Sequence, residues 1–364
     1  MNKGENNLLI AASGTGGHIF PALAIAEEIS DYWEITWLGI KSRCEADLVP
    51  KKYSLLMLDF ETPSKKNIFL IFQYLRIIFA TFRVLKIINQ RKISLIFTTG
   101  GYISAPAIIA AKITKIPIIL HESNLEPGLV TKYFGRFCDY VLTGFKDTNK
   151  YLRECKTSYT GTPLRKQFYI SNKLPDWVPI NAEPLILIMG GSQGATGLNQ
   201  MLYFSLDFLL KRNIRIVHLI GHNENINLNI QRNKNYVSRR FINNIAAIMQ
   251  NCDLVISRSG AGAINELIYT QKPSILIPFP NSKNNHQEKN ALLLSSLGGA
   301  ILINQKLNSN IYLKETLERI FENKNDKKSK FKILQIMQKN MLSVDRENPK
   351  KKIIRIVNQF RNEF

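Results

Sequence analysis

Short apolar runs alternate along the first half of the chain with longer segments whose apolar positions recur at helical spacing. The runs occupy residues 8–12, 35–40, 55–60, 95–99, 117–120 and 140–143. The amphipathic segments begin near Pro21, Asn67, Ser104 and Glu126. Strands that alternate with helices in this way predict βαβ units and a parallel sheet covered by helices.

The alternation stops at residues 169–184, which are polar and proline-bearing and therefore predict a linker. It then restarts with an apolar run at 184–189, a glycine-rich turn and a helix to about Leu210. Further runs follow at 214–220, 253–257 and 274–278. We therefore predict an α/β fold with two Rossmann-like domains that face a deep cleft, and ligands at the carboxyl ends of the strands.

The predicted domain boundaries follow from this pattern. Residues 1–165 form the N-terminal domain, 166–183 the linker and 184–345 the C-terminal domain. Residues 346–364 contain an amphipathic helix that can pack back on the N-terminal domain. A chain of 364 residues is long enough for both domains to bury a core.

Charge and cysteine content narrow the function classes. The net charge of +21 favours anionic partners, although a merely solvated basic surface gives the same number. The four cysteines have no metal-ligand spacing and are expected to be free thiols. We find no secretory leader and no uncharged apolar run of the roughly 18 residues that a membrane span needs.

Four glycine-rich turns, each between a predicted strand and a predicted helix, are the main candidate sites. They are GTGG at 14–17, TTGGY at 98–102, GGSQG at 190–194 and RSGAG at 258–262. The first resembles a dinucleotide fingerprint, but Ile19 replaces its third glycine and no acidic residue follows the next strand suitably, which disfavours a nicotinamide enzyme. Bare amides at helix N-termini attract anions, so four such turns predict ligands with several phosphates, in the sharpest form two diphosphates.

Other polar groups at predicted strand ends have two interpretations each. Glu266 is either an acid favoured near a helix N-terminus or a carboxylate that accepts both hydroxyls of a ribose. The sequence HESN at 121–124 is either a plain loop or part of the cleft, and Arg165 in GTPLR either clamps a phosphate or forms a surface ion pair. The amides of HQEKNA at 286–291 suit sugar hydroxyls.

Seven motifs in order give a specific family resemblance over about residues 8–300. GTGGHIFPALAIA, TTGGYISAP, HESN, GTPLR, GGSQGA, RSGAGAINE and HQEKNA resemble the MurG family, peripheral glycosyltransferases of peptidoglycan synthesis. The resemblance implies the GT-B fold. It also implies inverting transfer of N-acetylglucosamine (GlcNAc) from UDP-GlcNAc to the C4 hydroxyl of the muramoyl sugar in lipid I, which gives lipid II for cell-wall growth, cell shape and division.

The resemblance also implies a role for each matching residue of the donor site. Arg165 and Ser192 hold the donor diphosphate, and Ile242 lines the uracil site through its backbone. Gln287 and Asn290 bind the GlcNAc hydroxyls. The nucleotide is supported by Ala261, Gly262, Ala263, Ile264, Asn265 and Glu266, with Glu266 on the ribose.

In the N-terminal domain, the resemblance places substrates against the glycine loops. Thr15, Gly16 and Gly17 face the bound substrates, and Asn124 contacts the donor side. The acceptor diphosphate lies on the second glycine loop, at Gly100, Gly101 and Tyr102. The implied division of labour is an acceptor- and membrane-binding N-terminal domain and a UDP-GlcNAc-binding C-terminal domain.

Inverting transfer needs a base for the acceptor hydroxyl and stabilisation of the leaving UDP. The sequence has no D-x-D pair to hold a divalent ion, so we expect no metal and no cofactor, and the amides at 259–261, Ser192 and Arg165 meet the charge. Histidine titrates near working pH, and among the five histidines His18 is predicted to face the donor sugar. His18 is therefore the predicted base, the alternative being that it only orients substrate.

Residues 65–92 carry apolar side chains round most of a helix, interrupted by Arg76, Arg83 and Lys86. A core helix is one interpretation. The other is a helix on an anionic membrane surface with an exposed patch of Ile71, Leu75, Ile78, Phe79 and Phe82. We expect the protein at the cytoplasmic face of the bacterial inner membrane, with UDP-GlcNAc, lipid I and other cell-wall synthesis proteins as partners.

Three other classes compete with this hypothesis. A UDP-GlcNAc 2-epimerase shares the fold, but it would have acidic residues round the sugar and no basic apolar helix. A glycolipid synthase using diacylglycerol is the second. A pure nucleotide-binding or nucleic-acid-binding module is the third. It is disfavoured because the cations cluster beside an apolar helix rather than among exposed aromatics.

Overall fold

The computed structural model of the protein describes residues 6–14, 16–41, 45–59, 70–190, 196–221, 228–321, 331–344 and 348–361. The chain forms two compact units. The first comprises Met1–Arg165 with Glu347–Phe364, and the second comprises Lys166–Arg346. Each unit is built on one parallel sheet.

The first unit contains a seven-stranded sheet in the part of the chain that the structure describes. Its strands are β1 (Asn7–Ala11), β2 (Glu34–Ile40), β3 (Ser54–Leu58), β4 (Leu95–Thr98), β5 (Ile118–Glu122), β6 (Tyr140–Thr143) and β7 (Thr157–Tyr159). In β1, Leu8 and Ile10 pack in one hydrophobic cluster and Leu9 in another. Because both faces are covered, the central strands are continuous apolar runs rather than alternating ones.

The strand order β3-β2-β1-β4-β5-β6-β7 determines where the first unit can hold ligands. The chain builds outward from β1 to β3 and then returns to place β4 on the other side of β1. Ala11 pairs with Thr98, so the loops after β1 and β4 start side by side. Such a switch point is where doubly wound sheets bind ligands.

The helices of this unit cover the sheet and position its loops. They are α1 (Gly16–Ile29), α2 (Glu45–Leu48), α3 (Leu70–Gln90), α4 (Ser104–Thr114) and α5 (Leu129–Phe134). Helix α1 begins at Gly16 rather than near Pro21 as the sequence pattern predicted, because Gly16 and Gly17 are already helical. His18 therefore lies on the first helical turn and not in the glycine loop before it.

The second unit repeats this construction with six strands in the described part of the chain. They are β8 (Leu185–Met189), β9 (Arg215–Leu219), β10 (Tyr236–Arg239), β11 (Leu254–Ser257), β12 (Ser274–Leu276) and β13 (Ala300–Leu302). Their order is β10-β9-β8-β11-β12-β13, which puts the switch point between β8 and β11. Its helices are α6 (Thr196–Lys211), α7 (Leu228–Gln231), α8 (Ile245–Asn251), α9 (Ala261–Thr270), α10 (His286–Ser296), α11 (Ser309–Phe321) and α12 (Lys332–Leu342).

Two segments outside the sheets belong to different units. Residues 166–183, which the sequence predicted as a linker, belong to the second unit because Phe168 and Val178 are buried there. The last helix, α13 (Pro349–Asn358), packs on α1 of the first unit. Ile353 and Val357 are fully buried there, and Lys350 forms an ion pair with Glu28 (Nζ to Oε1, 2.7 Å).

Candidate functional site

The switch point of the first unit holds His18 in a defined orientation. Its Nδ1 lies 2.6 Å from the carbonyl oxygen of Thr99, in the loop after β4. A carbonyl oxygen only accepts, so Nδ1 donates the hydrogen and Nε2 carries the lone pair. The ring is half-buried, and its unprotonated nitrogen is the one that can accept a proton from a substrate hydroxyl.

Three glycines with left-handed backbone conformation surround the His18 ring. Gly14, Gly100 and Gly101 have φ of +111°, +84° and +79°. A Cβ on each would lie 3.9 Å from Cδ2, 3.6 Å from Cε1 and 3.8 Å from Nε2 of the imidazole, respectively. These distances are ordinary van der Waals contacts, so the reason for glycine here is the backbone conformation, in which other residues are strained.

Ser104, the first residue of α4, holds the second glycine loop by hydrogen bonds. Ser104 Oγ donates to the carbonyl oxygen of Gly100 (2.7 Å) and also meets Thr98 Oγ1 (2.5 Å). Tyr102, the third residue that was assigned to the acceptor diphosphate, is half-buried beside the loop. Gly16 approaches Phe20 so closely that a Cβ would lie 2.7 Å from its ring. Thr15 lies outside the described residues, and Gly17 is half-buried on the first turn of α1.

His121 and His218 are unsuited to act as bases because both are buried and hydrogen-bonded within the protein. His121 is fully buried, donates from Nε2 to the carbonyl oxygen of Gly161 (3.0 Å), and accepts from Ser123 Oγ (3.3 Å). His218 is fully buried between Tyr236 and Asn199. Burial lowers the pKa of His121, and it lowers the pKa of His218 to about 3. His222 lies outside the described residues, and His286 begins α10 in the second unit.

Glu122 organises the HESN segment, a role that sequence analysis missed. Its buried carboxylate accepts from the backbone and side-chain nitrogens of Asn124 (both 3.0 Å). It also accepts from the Gly128 amide (2.9 Å) and from Thr131 Oγ1 (2.7 Å). The Asn124 side chain, assigned to the donor, therefore donates one hydrogen bond within its own loop. Charged polar residues at the end of an apolar strand were the only sequence signal for this arrangement.

Arg165 is the last residue of the first unit before the chain enters the second, and its side chain packs against α1. Its guanidinium carbon lies 4.6 Å from the centre of the Phe20 ring. This cation–π contact holds the side chain two residues along α1 from His18.

The switch point of the second unit is described at the loop after β11, since residues 191–195 after β8 lie outside the described residues. Helix α9 has Gly260 as its N-cap, with no side-chain capping bond. Ser259, the residue before this N-cap, donates from Oγ to the carbonyl oxygen of Gln287 (2.7 Å). Among the described residues, and apart from its immediate chain neighbours, a Cβ at Gly260 or Gly262 would meet no atom within 4 Å. This part of the chain therefore leaves room for an anion at the amide end of α9.

Arg258 adds buried positive charge beside this helix end. Its guanidinium donates to the carbonyl oxygens of Ile277 and Pro278 (3.0 and 3.1 Å) and to Gln305 Oε1 (2.8 Å). Burial lowers its pKa to about 10, which leaves it charged at neutral pH.

The residues assigned to the nucleotide divide into two groups on α9. Ile264 and Asn265 are buried, and Asn265 Nδ2 donates to the Ala261 carbonyl oxygen (2.8 Å), so they belong to the framework. Gly262, Ala263 and Glu266 are half-buried. Glu266, on the second turn, is therefore the accessible carboxylate of this set. Ser192 lies outside the described residues.

The residues assigned to uracil and sugar lie on two other loops of this unit. Ile242 is half-buried beside the exposed Phe241, between β10 and α8. Gln287 Oε1 accepts from the Phe279 amide (2.9 Å), and it is half-buried. Asn290 is fully buried and donates to the Ser259 carbonyl oxygen (3.3 Å). Asn290 therefore fixes α10 against the loop before α9.

Helix α3 has apolar residues on two opposite faces. Ala80, Val84 and Ile88 are buried in the core. On the other side, Leu75, Ile78, Phe79 and Phe82 are 44%, 49%, 67% and 64% exposed. Arg76, Arg83 and Lys86 on the same helix are exposed as well. The Ile71 side chain lies outside the described part. No helix that the structure describes is both long and apolar enough to cross a membrane.

Metal ligands do not cluster in the described part of the chain. No group of three or more His, Cys, Asp or Glu side chains is arranged there to hold an ion. Positive charge near the candidate anion site comes instead from the amide end of α9 and from Arg258.

The amino-acid sequence matches two family models. Residues 8–143 match the glycosyltransferase family 28 N-terminal domain, and residues 185–344 match the glycosyltransferase family 28 C-terminal domain. Proteins called UDP-N-acetylglucosamine--N-acetylmuramyl-(pentapeptide) pyrophosphoryl-undecaprenol N-acetylglucosamine transferase are similar over the full chain. The one from Prochlorococcus marinus strain MIT 9515 is 59% identical over 100% of both chains, and that from strain NATL2A is 47% identical over 96% and 98%.

Solved structures share the fold. A crystal structure of Acinetobacter baumannii MurG has a TM-score of 0.74 at 23% identity and covers 97% of this chain and 99% of its own. A glycosyltransferase of kitacinnamycin has a TM-score of 0.70 at 14% identity, with 97% and 98% covered. The predicted GT-B fold with two parallel α/β domains is therefore confirmed.

Proposed function

The chain belongs to the MurG family of N-acetylglucosamine transferases within glycosyltransferase family 28, and from this premise we propose its reaction. It transfers GlcNAc from UDP-GlcNAc to the C4 hydroxyl of N-acetylmuramyl-pentapeptide linked to undecaprenyl diphosphate, with inversion, to give lipid II. The observation that carries the mechanism is the hydrogen bond from His18 Nδ1 to Thr99, since it leaves Nε2 as a proton acceptor.

The first unit supplies the base and the acceptor site. His18 Nε2 takes the proton of the acceptor hydroxyl as that oxygen attacks the anomeric carbon. The acceptor diphosphate binds the loop of Gly100 and Gly101, whose missing side chains let a phosphate come close to the backbone. A base held by a backbone carbonyl keeps one tautomer, so the enzyme does not reorganise it during the reaction.

The second unit binds the donor and stabilises the leaving group. The open amides at the N-terminus of α9 bind the UDP diphosphate, and Glu266 accepts the ribose hydroxyls. Arg165 belongs to the first unit, and its role on the donor diphosphate stays a prediction. We propose that these groups replace a divalent metal, so the reaction needs none.

The exposed face of α3 is proposed to dock the enzyme on the cytoplasmic side of the bacterial inner membrane. Leu75, Ile78, Phe79 and Phe82 enter the lipid interface, and Arg76, Arg83 and Lys86 contact anionic headgroups. The support is that α3 already buries its other face in the core, so this second apolar face is not needed for folding. A peripheral position brings the soluble donor and the lipid-linked acceptor to one enzyme.

The reaction is tested with purified protein, labelled UDP-GlcNAc and a short-chain lipid I analogue. We expect a labelled disaccharide-lipid, at a rate that EDTA changes by less than about twofold because protein groups meet the UDP charge. Only a C2 epimer of the sugar, or only free UDP, would contradict the proposed transfer. Strict dependence on an added divalent ion would contradict the proposed absence of a metal.

Membrane docking is tested by sedimentation with vesicles of phosphatidylglycerol and phosphatidylcholine. Replacing Phe79 and Phe82 together by serine should reduce binding, whereas the matched pair Phe204 and Tyr312, exposed in the second unit, should tolerate serine without loss. Equal binding by both double variants would overturn the assignment of α3.

A further inference from the structure

A buried carboxylate, Glu45, lies at the glycine loop that precedes His18. Glu45 begins α2 and is 0% exposed. Its Oε1 accepts a hydrogen bond from the backbone amide of Gly14 (3.0 Å). Its Oε2 is also buried and has no hydrogen-bond partner among the residues that the structure describes. None of the seven motifs contains this residue.

Stability does not explain a carboxylate in this environment. Burying a charged group is costly unless hydrogen bonds compensate it, and within the described residues Glu45 receives one from Gly14 and none at Oε2. A buried atom without a partner calls for an explanation, and a role in the site is one.

The surroundings of Glu45 are shaped to fit it. A Cβ on Gly39, at the end of β2, would lie 3.2 Å from Glu45 Cβ and 3.1 Å from Glu45 Cγ. Glycine at this position therefore makes room for the glutamate against the sheet. The carboxylate then reaches across the end of β2 to the loop that follows β1.

Gly14 links Glu45 to His18. The amide of Gly14 is bound by the carboxylate, and a Cβ on its α carbon would lie 3.9 Å from Cδ2 of the His18 ring. Gly14 has φ of +111°, a conformation that a flexible glycine loop leaves easily. The hydrogen bond from Gly14 to Glu45 holds the loop in this conformation, beside the imidazole.

We propose that Glu45 is a positioning residue for the transfer reaction. It fixes Gly14, and Gly14 in turn forms one wall of the site in which His18 presents Nε2. The proposal rests on the proposed function, because it assumes that His18 is the base. It also means that the Gly14 amide is already bound to an anionic group of the protein, which leaves the Gly100–Gly101 loop as the place for an acceptor phosphate.

Two substitutions separate positioning from folding. Glu45→Met keeps the length of the side chain, fills the buried volume and removes the acceptor for the Gly14 amide. Glu45→Gln keeps an oxygen acceptor for the Gly14 amide, removes the charge and replaces the second carboxylate oxygen by an NH2 group. Both proteins are purified at full length, and their thermal melting, kcat and KM for UDP-GlcNAc are measured with the lipid I analogue.

We expect Glu45→Met to melt within a few degrees of wild type and to lose roughly 10-fold to 100-fold in kcat, because small misplacements of a catalytic group have effects of this size. The KM for UDP-GlcNAc should change less than about twofold, since the donor site lies in the other unit, and Glu45→Gln should restore kcat to within about threefold of wild type.

Three results would overturn the proposal. They are a wild-type kcat in Glu45→Met, a melting temperature of Glu45→Met far below wild type, and a Glu45→Gln protein as slow as Glu45→Met. Each is judged against wild-type protein in the same assay. If wild type itself makes no disaccharide-lipid, the proposed function fails instead, which is a separate outcome.

Discussion

The two units have glycine-rich loops at the same topological position, and the described residues near those loops differ. In the first unit, Gly14, Gly100 and Gly101 pack round His18, and Glu45 and Thr99 hold the loop and the ring. In the second, none of the described residues beyond the immediate chain neighbours lies within 4 Å of the positions that a Cβ on Gly260 or Gly262 would take. The loops of the first unit thus hold a reactive side chain, whereas the described part of the loop before α9 leaves room for an anion.

The largest expected effect on activity is at His18, in the first unit. His18→Ala should lower kcat by roughly 10²–10⁴ because no other group accepts the proton. The affinity for UDP, measured by calorimetry, should stay within about twofold because α9 is in the other unit. His18→Gln, which can still donate to Thr99 but is no base, should be equally slow. Near-wild-type turnover in either protein would remove the assignment.

A smaller effect is expected at Glu266 in the second unit. Glu266→Ala should raise the KM for UDP-GlcNAc by roughly 10-fold to 100-fold, since hydrogen bonds to a charged group contribute about 1.5–3 kcal/mol. The measurement is initial rate against donor concentration. The matched control is Glu318→Ala, a partly exposed acid of α11 paired with Lys314, which should leave KM unchanged. Equal KM values in both variants would assign Glu266 to helix stabilisation alone.

Replacing one loop glycine in each unit by alanine tests whether the two loops differ in the space round them and in backbone conformation. Gly260→Ala should keep the melting temperature, because its Cβ meets open space, but weaken UDP binding by roughly threefold to tenfold by crowding the anion. Gly101→Ala, at φ +79°, should cost about 1–2 kcal/mol of stability and lower kcat, with UDP affinity unchanged. The readouts are thermal melting, kcat and calorimetry, and identical effects of the two substitutions would contradict the contrast.

A pH dependence of stability, rather than of activity, is expected in both units. The pKa of His218 is about 3 in the folded protein and near 6.5 when unfolded, so the unfolded state binds the extra proton between these values. Stability is therefore full above pH 6.5 and falls as the pH drops toward 3, by at most about 1.4 kcal/mol per pH unit.

Urea unfolding followed by tryptophan fluorescence checks this, because Trp177 reports on the second unit and Trp33 and Trp37 report on the first. His218→Gln should flatten the profile of Trp177 only. His121, whose pKa burial also lowers, should give the first unit a profile of the same sign. An unchanged acid profile of Trp177 in His218→Gln would show that another group controls it.

Most of the fold was predictable because the central strands are buried on both faces. Continuous apolar runs such as 8–12 and 184–189 correspond to β1 and β8. The three strands β7, β10 and β13, each at an edge of its sheet and only three or four residues long, were not predicted. No apolar run marks β7 or β10, whereas the apolar run AILI at 300–303, which contains β13, was overlooked. The start of α1 was placed too late, because a glycine pair does not indicate a helix.

The sequence by itself determined the two α/β units, the family and the positions of the glycine turns, because these depend on local patterns and ordered motifs. Only the tertiary structure decided which residues meet at those turns. His18 meets Thr99 across 81 positions, and Gly14 meets Glu45 across 31. Parallel sheets bring the ends of distant strands together, so the partner that orients a base is set by strand order and register and leaves no local pattern in the sequence.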